Sequence, residues 1–124
     1  MRIWMLAGML VVASAGSVLA QEDAVFRKWC LPCHDAGPDA KIKLGPPLNG
    51  IDGRKAGTFA GYSYSDAVKN SGITWTEATF KDYIGNPMGK IPGTRMAFAG
   101  VRDEAERDAL WNYLKQFDAD GKKK

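Results

Sequence analysis

The sequence predicts an all-α domain of three to five short helices joined by long ordered loops, and three observations carry that reading. Apolar residues recur at helical spacing in two well-separated stretches, residues 25–30 and 109–117. The segments between them are punctuated by Gly and Pro, with Gly45-Pro46-Pro47 in one and Gly85-Asn86-Pro87 in another, and none alternates as a strand would. Both cysteines and the only histidine stand together in Cys30-Leu31-Pro32-Cys33-His34, a group able to hold a large cofactor around which such loops can order.

The chain opens on an export signal. Arg2 supplies the positive region, residues 3–13 form an apolar run broken by Gly8, and the small residues around Ser17-Val18-Leu19-Ala20 predict cleavage before Gln21. An uncleaved anchor would want about 20 apolar residues, which this run barely reaches. Residues 1–20 are therefore read as a signal peptide and residues 21–124 as one domain. Its end, residues 119–124 with Lys122, Lys123 and Lys124, is read as a mobile basic tail.

Within the domain, Val25, Phe26, Trp29 and Cys30 fall at helical spacing and place a short amphipathic helix over residues 22–29, leading into the motif. Residues 34–59 read as ordered loop. A short helix follows over residues 65–70, stopped by Gly72. Thr76 can cap another that reaches Ile84, with Glu77 in its first turn, and Gly85-Asn86-Pro87 ends it. After a second Gly/Pro-rich loop, Asp103 opens the last helix, and Glu106 stands at capping-box spacing from it. Ala109, Leu110, Tyr113, Leu114 and Phe117 make its apolar face, widened by Trp111.

Cys30-x-x-Cys33-His34 is the pattern that attaches a c-type haem. Each sulfur adds to one vinyl group, and His34 reaches the iron from the proximal side. A disulfide across so short a loop would gain little. Zinc wants about four ligands, and no further Cys or His exists. One haem c, bound through Cys30 and Cys33, is the expected cofactor. Export fits it, since such attachment in bacteria takes place outside the cytoplasm.

The second axial position must come from Met, Lys, Tyr, water or nothing. Of five methionines, Met1, Met5 and Met9 leave with the signal. Met88 and Met96 remain. Met96 lies in the restricted loop Ile91-Pro92-Gly93-Thr94-Arg95-Met96, which favours it as a thioether donor, whereas Met88 follows Pro87 at a helix end. For either residue the plain alternative is packing.

The chain resembles class I cytochrome c, in particular the mitochondrial-like bacterial cytochromes c2 and c550. CLPCH, KLGPPLNGIDGRKAG, YSYSDAVKNSGITW, GNPMGKIPGTRMAFAG and ERDALWNYLKQF carry the resemblance over nearly the whole mature domain. It implies the cytochrome c fold, with His34 and Met96 as iron ligands. It further implies that the Pro46 carbonyl holds the His34 ring and that Tyr83 and Thr94 line the methionine side. Arg54, Tyr64 and Trp75 would meet the haem propionates, Phe98 would cover the haem edge, and Phe26 would cross the last helix near Leu110 and Tyr113. For the aromatics the plain alternative is an ordinary core position.

Two departures from the family pattern stand out. Glu22 occupies the usual glycine position at the helix crossing, so the first helix is expected to start late or pack differently. Trp29, Met88 and Gly89 replace residues that are often lysine in the docking ring, leaving Lys28, Lys43, Arg95 and Arg102. Redox partners are therefore expected to dock at the haem edge on a more apolar patch formed by Trp29, Met88 and Phe98, with Lys28, Lys43 and Arg95 around it. For Trp29 the alternative is inward packing beside Phe26.

The formal charge is +3, and loss of Arg2 with the signal lowers it by one. No basic stripe exists, so nucleic-acid binding is not expected. The resulting expectation is a soluble, monomeric periplasmic carrier of single electrons, not an enzyme, with no membrane insertion once the signal is removed. A small peroxidase-like haem enzyme, or a haem-based sensor, is the alternative. Either would need an open or displaceable distal position, and the enzyme acid/base groups beside it.

Overall fold

The computed structural model describes residues 8–10 and 15–124. The positive region and most of the apolar run assigned to the signal lie outside the described residues. Five helices follow in order: α1 (Ala15–Trp29), α2 (Asp66–Lys69), α3 (Glu77–Gly85), α4 (Pro87–Lys90) and α5 (Glu104–Leu114). Among the described residues there is no strand, only the isolated bridges Lys55–Thr74 and Phe117–Lys123. The all-α reading holds.

α1 starts earlier than its apolar spacing suggested and runs unbroken through the expected cleavage point after Ala20. Its sequence there, Ala-Gly-Ser-Val-Leu-Ala-Gln, holds no proline, so nothing local stops a helix. α2 and α3 start where the sequence places them. Ser65 caps α2, its hydroxyl accepting from the Val68 amide. Thr76 caps α3 in a reciprocal box with Thr79: each hydroxyl accepts from the other residue's amide, at 3.2 and 2.8 Å.

α4 was not expected. Asn86-Pro87 ends α3 but also begins a new turn, because the Asn86 side chain accepts from the Gly89 amide and Pro87 sits at the first helical position. At α5, Asp103 is the cap, accepting from the Ala105 amide at 2.9 Å. Glu106 does not close a box with it, because its carboxylate turns instead to α1, bonding the Trp29 indole at 2.9 Å.

α1 and α5 pack together, as do α3 and α5. Phe26 stacks on Tyr113 with ring centroids 4.6 Å apart, and Phe80 lies 5.5 Å from Trp111. Leu110, Leu114 and Val101 at the centre are fully buried. Leu110→Ala, which opens a void at a fully buried position of α5, is expected to destabilise the domain by about 2–5 kcal/mol, read from denaturant unfolding.

Residues 116–124 form a closing turn. Lys124 N donates to Gln116 O, and the Asp118 carboxylate accepts from the Asp120 and Lys122 amides. Gly121, at φ 80°, lies so close to the Gly37 carbonyl and the Asn49 amide that a Cβ there would collide with both. Asn49 in turn bonds Gly37 through both ends of its amide, at 2.8 and 2.9 Å. The chain's end thus rests on the loop that leads into Pro46.

Candidate functional site

α1 delivers the motif. Past Trp29 the chain tightens into a turn in which Cys30 N bonds Phe26 O, and Cys33 N and His34 N both bond Cys30 O. That turn places Cys30, Cys33 and His34 on one wall of a cavity of 480 Å³. The size falls within the range of about 300–1,000 Å³ usual for cofactor sites. The remaining lining comes from the loops after the motif, from α2 and α3 and from the loop that carries Met96, including Pro46, Arg54, Tyr64, Trp75, Tyr83, Thr94, Met96 and Phe98. All the residues named from the sequence as cofactor or iron contacts therefore converge on one cavity. Met88 does not line it and is 53% exposed.

The proximal loop is pinned to the motif by two backbone bonds, Gly45 N to Cys33 O and Leu48 N to Asp35 O. Between these pins Pro46 O accepts from His34 Nδ1 at 2.7 Å. A carbonyl can pair only with a donor, so the proton sits on Nδ1 and Nε2 is left with its lone pair. Burial holds the ring below the usual imidazole range and outweighs the opposing Pro46 bond. The imidazole is thus kept neutral, as a metal ligand must be. Gly45 is required for space: a Cβ there would fall 2.2 Å from the His34 ring. Sequence reading missed this contact, although Gly45 directly precedes Pro46.

Burial, with Cys33 beside it, pushes the Cys30 thiol up to about 12. Such surroundings disfavour a thiolate, so they suit sulfur held as a neutral thioether rather than a metal thiolate or a reactive thiol. Among the described residues no group of three His, Cys, Asp or Glu side chains forms a separate metal site.

Across the cavity the Tyr83 hydroxyl lies 3.7 Å from the Met96 sulfur and 3.0 Å from the Thr94 hydroxyl. Thr94 Oγ1 also accepts from the Met96 amide at 3.3 Å. Burial raises the Tyr83 pKa, and the Thr94 bond opposes that shift. The phenol stays protonated and able to donate.

Arg54 shows how the site is prepared for negative charge. Its guanidinium donates to Pro47 O and Asn49 O at 3.1 and 2.9 Å, and it forms no ion pair among the described residues. Burial lowers its pKa, with only Tyr64 acting against that. A half-buried cation met by neutral carbonyls and the Phe59 ring, 5.5 Å away, is suited to a carboxylate arriving with the cofactor. Tyr64 accepts from the Phe59 amide at 3.1 Å, and Trp75 packs 5.1 Å from Tyr83. Sequence reading did not anticipate Ile51 or Val68, which add to the apolar lining, or Ser65 beside them.

Comparison with known proteins agrees with this geometry. No protein-family model matches the chain. It is 63% identical over 99 residues to cytochrome c2 of Rhodoplanes tepidamans, covering 80% of this chain and 92% of the relative. Identity to cytochrome c2 of Blastochloris viridis is 55% over 122 residues, 94% and 95% of the two chains. Cytochrome c-550 of Bradyrhizobium diazoefficiens is 63% identical over 93 residues, 75% of this chain and 68% of the relative. The chain therefore belongs to the class I c-type cytochromes of the cytochrome c2 and c-550 kind. It is an electron-carrying haem protein rather than an enzyme, with haem c attached covalently through the pair Cys30 and Cys33.

Proposed function

We propose that this cytochrome is a periplasmic shuttle that holds its iron between His34 and Met96 and exchanges single electrons at the edge covered by Phe98. The observation that supports it most is that Met96, and not Met88, shares the cavity with His34. Bound there, the haem supplies one-electron chemistry between ferrous and ferric iron.

The chain's own residues keep that chemistry simple. Pro46 fixes the His34 ring and increases its donor strength. Tyr83 and Thr94 hold the Met96 loop, so the thioether stays in place in both oxidation states. Met96 would offer the iron a soft sulfur, which favours the ferrous state, and would leave no position for a peroxide or a gas. Arg54, Tyr64 and Trp75 receive the propionates. A periplasmic site of action is supported by the signal-like residues 1–20 and by the thioether attachment. No described helix is long and apolar enough to cross a membrane.

Partners are proposed to dock where Trp29, Phe98 and Met88 meet the surface, with Lys28, Lys43 and Arg95 around them. All three of these cations are already engaged within the protein, Lys28 with the Glu106 carboxylate, Lys43 with Leu31 O and Arg95 with Ser63 O. Electron transfer with the partner should then depend weakly on salt. Stopped-flow mixing with candidate redox proteins at two ionic strengths checks this; less than about a threefold change is expected. A fall of tenfold or more would show the electrostatic steering that this patch lacks.

A further inference from the structure

One carboxylate joins three features of the proposed docking edge. Glu106 Oε2 accepts from Trp29 Nε1 at 2.9 Å and from Lys28 Nζ at 3.3 Å. The same Lys28 ammonium lies 4.6 Å from the centre of the Trp29 ring. The opposite side of the arrangement is closed by Phe98, whose ring meets the indole edge-on at 5.8 Å. Trp29 and Phe98 both line the cavity, so this cluster forms its rim.

The burial pattern gives the cluster a direction. The Lys28 side chain is 58% exposed and that of Glu106 only 23%. The cation therefore faces solvent while its counter-charge sits underneath, beside the indole. While Phe26 stacks on Tyr113, Trp29 is half-buried against the edge of the core. It lies across the gap between α1 and α5, held by its N–H at one side and by Phe98 at the other.

We propose that Glu106 is a specificity-determining residue of this cytochrome's docking edge. By holding the Trp29 indole and cancelling the Lys28 charge, it makes the rim aromatic and locally neutral. The partner it fits offers an apolar contact patch at this rim, not an acidic one. The proposal rests on the reading that electrons leave at the Phe98 edge. It adds the residue that sets which partner charge the edge accepts.

The test uses the haem-loaded protein and two one-electron oxidants of opposite charge, hexacyanoferrate(III) and tris(phenanthroline)cobalt(III). Each takes one electron from the ferrous protein. At low ionic strength Glu106→Gln is expected to speed oxidation by the anion about threefold and to slow oxidation by the cation similarly, the scale of one exposed ion pair. Glu104→Gln removes a carboxylate from the same helix that does not bond Lys28, and should move both rates by less than half as much. The Trp29 indole proton, read by NMR in the ferrous protein, should exchange slowly and should shift in Glu106→Ala but not in Glu104→Ala. Equal effects of the two Gln variants on the rates, or an indole proton indifferent to Glu106, would overturn the proposal. A wild-type protein that reacted with neither oxidant would instead overturn the underlying carrier reading and this proposal with it.

Discussion

Replacing both Cys30 and Cys33 by Ala is expected to abolish cooperative folding, leaving far-UV circular dichroism with most of its helical signal lost. The reason lies in how the core is divided. A cavity of 480 Å³ lies at the meeting point of α1, α3 and every long loop, lined by Leu48, Ile51, Val68, Phe80 and Ile84 among others. Leaving empty the space of a single large core side chain already costs about 2–5 kcal/mol, and the space the cofactor fills is several times larger. The net stability of a small domain is only about 5–15 kcal/mol. Several buried residues, among them Phe26, Val101, Leu110, Trp111 and Leu114, do not face the cavity, but α1 and α5, which carry most of them, are alone too short to persist. A double variant that kept native-like ellipticity and melted cooperatively without haem would contradict this account.

Met96→Ala carries the second large effect. The ferric protein is expected to lose the methionine–iron charge-transfer band, and its reduction potential should fall on the order of a tenth of a volt or more, since axial ligands span much of the haem potential range. Met88→Ala should leave both unchanged. The geometry separates the two residues clearly. The Met96 sulfur lies in the cavity against the Tyr83 hydroxyl, with its amide tied to Thr94, whereas Met88 stands on the surface at the first turn of α4. Difference spectra and a redox titration of the two variants check it. Loss of the band in Met88→Ala, or its survival in Met96→Ala, would transfer the ligand role.

What the sequence made legible was local chemistry. Ser65, Thr76 and Asp103 cap helices because short polar side chains at those positions have amides within reach. The convergence of Arg54, Tyr64, Trp75, Tyr83, Thr94, Met96 and Phe98 on one cavity followed from segment resemblance, because no periodicity links such distant residues. The misreadings have physical causes too. Asn86-Pro87 reads as a stop, yet the same pair is also a start signal, and only the Gly89 amide decides between them. Glu106 has ideal spacing for a local capping bond but is drawn to Trp29 and Lys28, which lie far from it in the chain. The fit of Gly45 against the His34 ring likewise depends on a loop path that no local pattern encodes.

The central claim, an iron closed on both sides by His34 and Met96, is tested most directly by the absorption and paramagnetic resonance spectra of the ferric wild-type protein. A low-spin ferric haem with the methionine–iron charge-transfer band at neutral pH is the predicted result. A high-spin ferric spectrum, or a low-spin one without that band, would contradict it; the high-spin case would return the site to the open-position chemistry of an enzyme or a sensor.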